Sequence, residues 1–215
     1  MVTLIVTSEK SGLDRYSQEI AKRLDIRKIE TQRYLSLIGA YRLSRLIRSQ
    51  DDIIHLPNQN FARYVLFLKN PFIVTVHDLV RNYFGFAEET IAEKILLKLD
   101  IRYIKRASHI IAVSQNTKND LIKYLTIPED RISVINKRED HNIFKPYNIK
   151  LLDKPYILYV GSERPRKNLG RLFEAFAKLK GEFPELKLVK VGISGRSEEY
   201  RRDTMRKLAS LGITG

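Results

Sequence analysis

Short apolar runs alternate with longer stretches of helical periodicity along the whole chain. Residues 2–7, 71–76 and 156–160 are nearly all apolar and rich in branched side chains, which is typical of strands buried in a parallel sheet. Residues 14–24 and 88–107 repeat apolar side chains three and four positions apart, which predicts amphipathic helices. The alternation of the two patterns predicts an α/β fold.

The same patterns predict the remaining elements. Further strands are predicted at residues 26–31, 52–56, 108–113, 131–135 and 186–191. Further helices are predicted at residues 41–49, 116–124, 169–179 and 197–211. Ser114 is a good N-cap for the second of these helices. Leu24 is expected to face inward on the helix at residues 14–24. The helix at residues 88–107 carries one apolar face with Ile91, Ile95, Leu96, Leu99, Tyr103 and Ile104.

Composition narrows the class of protein. The 43% hydrophobic and 30% charged residues are those of a globular protein and not of a disordered chain. The sequence has no run of about 18 apolar residues, so it predicts no transmembrane helix. It has no cysteine, which excludes disulfides and thiolate metal sites. The first residues read as a strand and not as a signal peptide, so a cytoplasmic protein is expected.

A net charge of +14 indicates an anionic partner, such as nucleic acid, anionic lipid or a phosphorylated small molecule. The cations are scattered along helices, and no basic–aromatic platform for nucleic acid is found, so nucleic acid is the weaker alternative. The basic helices at residues 41–49 and 91–106 are candidates for an anionic membrane surface. Alternatively, both bury their apolar faces in the core and expose only their charges.

The most informative stretch is residues 155–179, PYILYVGSERPRKNLGRLFEAFAKL. A strand ends at Gly161, a turn with Arg164, Arg166 and Lys167 follows, and a helix begins after it. This order places the free N–H groups of the first helical turn at the carboxyl end of the strand, where open α/β folds bind anions. A plain strand-to-helix connection with solvated cations is the alternative.

That stretch resembles the donor-binding domain of glycosyltransferase family 4. TVHDL at residues 75–79 and SHIIAVSQNTKNDLIKYLTIPEDRISVIN at residues 108–136 also resemble the family. The family consists of retaining sugar transferases of GT-B architecture. The resemblance implies a Rossmann-like domain of GT-B type in residues 1–147, a linker in residues 148–154, and an incomplete second Rossmann-like domain of two βα units in residues 155–215.

The resemblance also implies site residues in the first domain. It places His77 beside the donor sugar and the acceptor as the catalytic candidate. Gly12 belongs to the loop that approaches the donor diphosphate, but Asp14 stands where the family usually has a second glycine. Asp14 either caps the following helix or weakens the phosphate role of the loop through its charge.

In the second domain the resemblance implies donor contacts from Gly161, Ser162, Arg164, Arg166 and Lys167. Ser162 stands where the family commonly has arginine, so Arg164 or Arg166 would take over that contact. No metal or cofactor is expected, because in this architecture side chains and a helix N-terminus stabilise the leaving diphosphate.

Two departures from the family change the expectation. Asn136 and Lys137 stand where the family usually has Asn-Gly, so the acceptor side of the cleft is expected to differ. The glutamate pair that grips the nucleotide ribose is not found. We therefore expect the chain to stop within the donor-binding domain, to be incomplete for catalysis, and to associate with itself through the bare strand edges of residues 155–215.

The expected function is that of a hexosyltransferase-type retaining glycosyltransferase. It would move a sugar from a nucleotide-diphosphate sugar to a glycan or lipid-linked acceptor, in the cytoplasm and peripherally on the inner face of the membrane. The alternative is a non-catalytic module that binds anionic membrane or the acceptor.

Overall fold

The structure is a computed structural model of the chain. It describes residues 2–8, 12–32, 34–47, 53–83, 90–137, 141, 144–146, 152–195 and 197–213. The chain divides into two units, Met1–Glu139 and Asp140–Gly215, which are described separately. The ends of two predicted helices, at residues 48–49 and 88–89, lie outside the described residues. So do residues 138–140 and residues 148–151 of the predicted linker.

Within the described residues, the first unit contains a six-stranded sheet in which every neighbouring pair is parallel. Its strands are β1 (Val2–Thr7), β2 (Arg27–Thr31), β3 (Ile53–Leu56), β4 (Phe72–Val76), β5 (His109–Ala112) and β6 (Ile132–Val134). The strand order β2-β1-β3-β4-β5-β6 reverses direction at β1. The crevice outside the carboxyl ends of β1 and β3 is therefore the expected ligand site of this sheet.

The connecting helices cover the sheet, and its strands are therefore apolar in sequence. They are α1 (Gly12–Arg23), α2 (Leu37–Leu46), α3 (Val80–Tyr83), α4 (Ile91–Ile104) and α5 (Gln115–Leu125), with 3-10 helices at Gln59–Phe67 and Glu129–Arg131. Leu4 and Val6 of β1 pack with Ala21 of α1, whereas Ile5 belongs to the large cluster that contains Phe61. Burial of one such side chain contributes about 1.5–3 kcal/mol.

Side-chain caps fix where the helices begin. The Ser114 hydroxyl accepts a hydrogen bond from the Thr117 N–H, which confirms the predicted cap of α5. Ser36 caps α2 in the same way, so this helix begins earlier than the predicted residue 41. Thr90 and Glu93 form a reciprocal capping box at the start of α4. Each cap contributes about 1 kcal/mol.

The apolar face predicted for residues 88–107 is buried only at its carboxyl end. Ile91 is 79% exposed and Ile95 is 55% exposed, while the buried residues of α4 are Asp100, Tyr103 and Ile104. The 3-10 helix Gln59–Phe67 packs against α4. The backbone N–H and the guanidinium of Arg63 both donate to the Asp100 carboxylate, so the buried side of α4 includes a charged residue beside its apolar ones.

The inward position expected for Leu24 is also wrong. α1 ends at Arg23, so Leu24 lies beyond the last turn and is 48% exposed.

Within the described residues, the second unit contains two βα units, as predicted, but the burial expected for its strand at residues 156–160 is wrong, because every second side chain of that strand is exposed. The parallel strands are β7 (Tyr156–Val160) and β8 (Lys187–Val191), and the helices are α6 (Leu169–Glu182) and α7 (Glu198–Ser210). A 3-10 turn at Pro165–Lys167 precedes α6. Among the described residues, no helix in either unit combines the length and the hydropathy needed to cross a membrane.

Candidate functional site

At the carboxyl end of β1, Asp14 joins the strand to α1. It lies in the first turn of a helix that runs from Gly12, so it is not the cap that the sequence suggested. Its side chain is fully buried and accepts a hydrogen bond from the Thr7 hydroxyl. Ser17 donates to the Asp14 carbonyl and accepts from the Thr7 N–H, at 2.8 and 3.3 Å. The carboxylate is therefore directed at the end of β1.

His77 follows β4 and is held on three sides. Its backbone N–H donates to the Gln59 side-chain oxygen at 3.2 Å, and its carbonyl accepts from the Thr117 hydroxyl at 3.2 Å. Ring atom Nε2 lies 2.9 Å from the Pro57 carbonyl. Because a carbonyl can only accept, Nε2 carries the proton and Nδ1 carries the lone pair. The ring is thus fixed in orientation and tautomer.

Burial lowers the pKa of His77 to about 4, and the nearby Lys137 ammonium adds to this effect. The imidazole is therefore neutral at pH 7. Nδ1 is buried and has no hydrogen-bond partner among the described residues. An unsatisfied buried acceptor is costly, and a catalytic or binding role is one of the explanations for such an atom.

His55 is a packed residue and not a candidate catalyst. Its ring Nε2 shares a hydrogen bond of 2.9 Å with the Thr75 hydroxyl, and burial lowers its pKa to about 4. The Tyr16 hydroxyl lies 3.3 Å from the same Thr75 oxygen. Thr75 therefore ties α1 to β3 and β4 beneath His77.

Tyr16 and Lys137 complete the surroundings of His77. The Tyr16 ring lies edge-on to the His77 ring with centroids 4.9 Å apart, and the Lys137 ammonium lies 5.6 Å from the Tyr16 centroid. Partial desolvation lowers the pKa of Lys137, against the attraction of Asp78. Sequence reasoning assigned neither Tyr16 nor Lys137 to the site. The replacement of a glycine by Lys137 was the available signal.

In the second unit, two loops pack closely at the carboxyl ends of β7 and β8. The Gly161 N–H donates to the Val191 carbonyl at 2.8 Å, and the Glu163 N–H donates to the Ile193 carbonyl at 3.3 Å. A Cβ on Gly192, whose φ is +136°, would lie 2.3 Å from the Gly161 carbonyl oxygen. The loops therefore require glycine and have one tight arrangement.

This arrangement presents the predicted cations to solvent. Arg164, Arg166 and Lys167 are exposed, and they form no salt bridge with any described residue. Ser162 is half-buried, and its carbonyl accepts from the Tyr159 hydroxyl at 3.2 Å. No side chain caps α6, whose first turn follows this loop. The loop thus combines cationic side chains with a helix N-terminus.

Glu163 anchors the cationic loop, residues 161–168 between β7 and α6, and was not predicted from the sequence. Its carboxylate accepts from the Lys190 ammonium at 2.5 Å and lies 3.9 Å from the Arg201 guanidinium. Sequence offered no signal, because the three residues are far apart along the chain. No group of His, Cys, Asp or Glu side chains that could hold a metal ion is found among the described residues.

Two family models together match nearly the whole chain. The model described as Glycosyltransferase Family 4 matches residues 2–137, and the model described as Glycosyl transferases group 1 matches residues 140–213. None of the curated proteins matches this sequence.

Solved structures of low sequence identity share the fold. HepE of Anabaena, solved in complex with UDP, is 15% identical over 99% of this chain, with a TM-score of 0.68. A glycosyltransferase of Rickettsia africae is 19% identical over 99% of this chain, with a TM-score of 0.59. An alpha,alpha-trehalose-phosphate synthase (UDP-forming) of Burkholderia vietnamiensis is 12% identical over 98% of this chain, with a TM-score of 0.60.

The matched regions are 66%, 65% and 70% of those three proteins, so this chain spans about two thirds of their length. These likenesses support the Rossmann-like α/β fold of GT-B type, and the first family model alone covers more than half of the chain. The chain therefore belongs to glycosyltransferase family 4.

Proposed function

We propose that this protein is a retaining, hexosyltransferase-type enzyme that transfers a sugar from a nucleotide-diphosphate sugar to a glycan or lipid-linked acceptor. The observation that carries the proposal is the cationic loop between β7 and α6. Three exposed cations without salt bridges to described residues precede a helix N-terminus that no side chain caps. UDP bound to HepE, a protein of the same fold, supports a nucleotide-sugar donor.

The chemistry of this loop suits a leaving diphosphate. Negative charge develops on the leaving oxygen as the glycosidic bond breaks, and preorganised cations stabilise that charge more in the transition state than in the ground state. Arg164, Arg166 and Lys167 would supply the charge, together with the N–H groups at the start of α6. Gly161 and Ser162 would let the backbone approach the phosphates. Glu163 would hold the loop in place through Lys190.

His77 is the proposed catalytic residue of the first unit. Its Nε2–H is committed to the Pro57 carbonyl, so Nδ1 is the ring atom left to accept a hydrogen bond from a sugar hydroxyl. A histidine with a pKa of about 4 does not donate a proton at pH 7, so its role is positioning and not acid catalysis. Nδ1 is covered in this structure, and a hydroxyl reaches it only after the surrounding chain moves.

Gly12 would contribute to the same site. A Cβ at this position would meet nothing within 4 Å, so the start of α1 has open space beside its backbone. The Asp14 carboxylate is bonded to Thr7 and does not compete for that space.

Sugar transfer from UDP-sugars, measured on a protein with a complete donor-binding domain and with the anomeric configuration of the product read by NMR, tests this function. We expect retention of configuration and a loss of turnover of at least about 100-fold in His77→Ala. His109→Ala is the matched control, because the His109 ring bonds Ser133 away from this site. Inversion of configuration, or wild-type turnover in His77→Ala, would overturn the proposal. UDP binding without any turnover would favour the non-catalytic alternative.

A second proposal is peripheral binding to an anionic membrane, on the inner face of the cell membrane. Its motivating observation is the exposed apolar face of α4, where Ile91 and Ile95 are 79% and 55% exposed. Lys94, Lys98 and Arg102 lie on the same helix, and each basic residue near an anionic surface contributes about 1 kcal/mol. α2 likewise exposes Leu37, Ile38 and Tyr41 beside Arg42 and Arg45.

Sedimentation with liposomes tests the membrane proposal. We expect pelleting with anionic and not with neutral vesicles, and a clear reduction in Ile95→Ser. Ile135→Ser is the matched control, because Ile135 is 54% exposed but lies after β6. Equal pelleting with both vesicle types would remove the proposal.

A further inference from the structure

We propose that Lys137, Tyr16 and His77 form a phosphate-binding subsite in the first unit, in which the Lys137 ammonium binds a phosphate group of a substrate. The proposal rests on the proposed function, since it assigns a charged group of the substrate to this chain. It concerns residues separate from the cationic loop of the second unit.

The row of three side chains is built from distant parts of the sequence. Tyr16 lies on α1, His77 follows β4, and Lys137 follows β6. The Tyr16 ring stands between the other two, 4.9 Å from the His77 ring centroid and 5.6 Å from the Lys137 ammonium. The sheet order brings these segments together at its carboxyl edge.

The Tyr16 ring is fixed in place, so it can position the Lys137 ammonium that lies over it. The Tyr16 hydroxyl bonds the Thr75 hydroxyl at 3.3 Å, and the ring packs edge-on against an imidazole that is itself held by Pro57. A cation over an aromatic face is stabilised by about 0.5–1 kcal/mol at an exposed site. This attraction places the ammonium without neutralising its charge.

The ammonium is available to a ligand. The Lys137 side chain is exposed, and its nitrogen forms no salt bridge within 4 Å of any described carboxylate. Asp78 is near enough to attract it but does not pair with it. The imidazole beside it is neutral at pH 7, so the row carries one net positive charge.

Phosphate is the anion that this geometry favours. Lysine binds phosphate as a compact point charge, whereas the bidentate pair with a carboxylate needs the planar fork of a guanidinium, which lysine lacks. Within the proposed function, the phosphate could belong to the donor diphosphate or to a phosphorylated acceptor. The chemistry at Lys137 is the same in both cases.

Binding measurements on four proteins test the subsite. Inorganic phosphate is titrated while the NMR signals of the His77 ring are followed, and UDP is titrated by calorimetry. The proteins are the wild type, Lys137→Gln, Lys137→Arg and Lys123→Gln. Lys123 is the matched control, because its ammonium also lies over a tyrosine ring, 4.9 Å from the Tyr124 centroid, but on α5.

We expect phosphate to shift the His77 signals and Lys137→Gln to weaken phosphate binding about tenfold. Lys137→Arg should retain binding, and Lys123→Gln should match the wild type. A parallel loss of UDP affinity in Lys137→Gln identifies the donor diphosphate as the source. Unchanged UDP affinity identifies an acceptor phosphate.

Three results would overturn the subsite: no phosphate-dependent shift of the His77 signals, wild-type phosphate affinity in Lys137→Gln, or an equal loss in Lys123→Gln. Wild-type protein that binds phosphate at His77 but does not bind UDP would instead contradict the proposed function and leave the subsite standing.

Discussion

The Tyr16 ring stands at 88° to the His77 ring, with the two centroids 4.9 Å apart. Edge-to-face pairs of this kind contribute about 0.5–1.5 kcal/mol beyond the area they bury. The contact joins the first helix to the end of β4, on either side of the point where the strand order reverses. The ring of His77 is therefore positioned by α1 as well as by the loop after β3.

Removing the Tyr16 ring should disturb His77 more than removing the hydroxyl. In a protein with a complete donor-binding domain, we expect Tyr16→Phe to retain most of the activity, because the edge-on contact remains and only the hydrogen bond to Thr75 is lost. Tyr16→Leu should lower turnover about tenfold and shift the NMR signals of the His77 ring. Equal activities of Tyr16→Leu and Tyr16→Phe, with unchanged His77 signals, would mean that the ring contact has no positioning role.

Stability should fall in mild acid because of two buried histidines. Burial lowers the pKa of His55 and His77 to about 4, below the ordinary 6.5. Between these values the unfolded chain binds more protons than the folded one. Their contribution is thus complete above pH 6.5 and is lost as pH falls toward 4. Burial raises the pKa of Asp100 to about 6, which works in the opposite direction.

Urea unfolding at pH 7 and pH 5 measures this effect. One histidine with a lowered pKa changes the free energy of unfolding by about 1.4 kcal/mol per pH unit. Between pH 7 and pH 5, we therefore expect the free energy of unfolding to fall by about 2 kcal/mol less in His55→Asn than in the wild type. His109→Asn, which alters a surface hydrogen bond to Ser133, should behave like the wild type. The same pH dependence in His55→Asn and the wild type would show that His55 is not the source.

The loops of the second unit should not tolerate a side chain at Gly195. A Cβ there would lie 1.8 Å from the Glu163 carbonyl oxygen, so the two loops must separate. We expect Gly195→Ala to lower the free energy of unfolding by about 3 kcal/mol. Gly181→Ala is the control, since a Cβ in α6 at that position meets nothing, and it should raise stability by about 0.5–1 kcal/mol. Thermal unfolding of both variants decides the matter, and similar stabilities would contradict the loop packing.

Sequence patterns predict an element well where its side chains are continuously buried. They predict its buried face poorly where the segment that packs against it has no recognisable sequence pattern. Residues 2–7 coincide with β1 because an apolar run that is buried from Thr3 to Thr7 has few alternatives to a strand. Residues 156–160 also form a strand, β7, but the burial expected for them is wrong, since Leu158 and Val160 are 51% and 70% exposed. The exposure of Ile91 and Ile95 on α4 could not be predicted, because the partner of this helix, the 3-10 helix Gln59–Phe67, has no periodicity that marks it as a packing surface. The buried Arg63–Asp100 pair between the two helices left no sequence pattern either.

The residues of the candidate site could likewise be predicted only in part. The cations of residues 164–167 are local to one strand–turn–helix stretch, so the sequence identifies them. Tyr16, His77 and Lys137 are more than fifty residues apart from one another, and only the sheet brings them together. The capping alternative for Asp14 was wrong because helix capping depends on where α1 begins, which a pattern predicts only to within a few residues.

The second unit should associate with itself through the β7–β8 sheet. Leu158 and Val160 are 51% and 70% exposed on the face that they share with Val191. An apolar face and open strand edges are templates for another chain. We expect concentration-dependent dimers in size-exclusion chromatography, reduced by Leu158→Lys but not by Met205→Lys, a residue of similar exposure on α7. A strict monomer at high concentration would contradict this.

Calorimetric titration of UDP into the wild type and into a triple variant, Arg164→Gln, Arg166→Gln and Lys167→Gln, tests the central claim most directly. The control removes three charges from exposed side chains of α6 and α7, with Arg202→Gln, Arg206→Gln and Lys178→Gln. Donor binding by the cationic loop predicts that the wild type and the control bind UDP, and that the triple variant binds about 100-fold more weakly. No UDP binding by the wild type, or equal affinity in the two triple variants, would contradict the assignment of this loop to the donor.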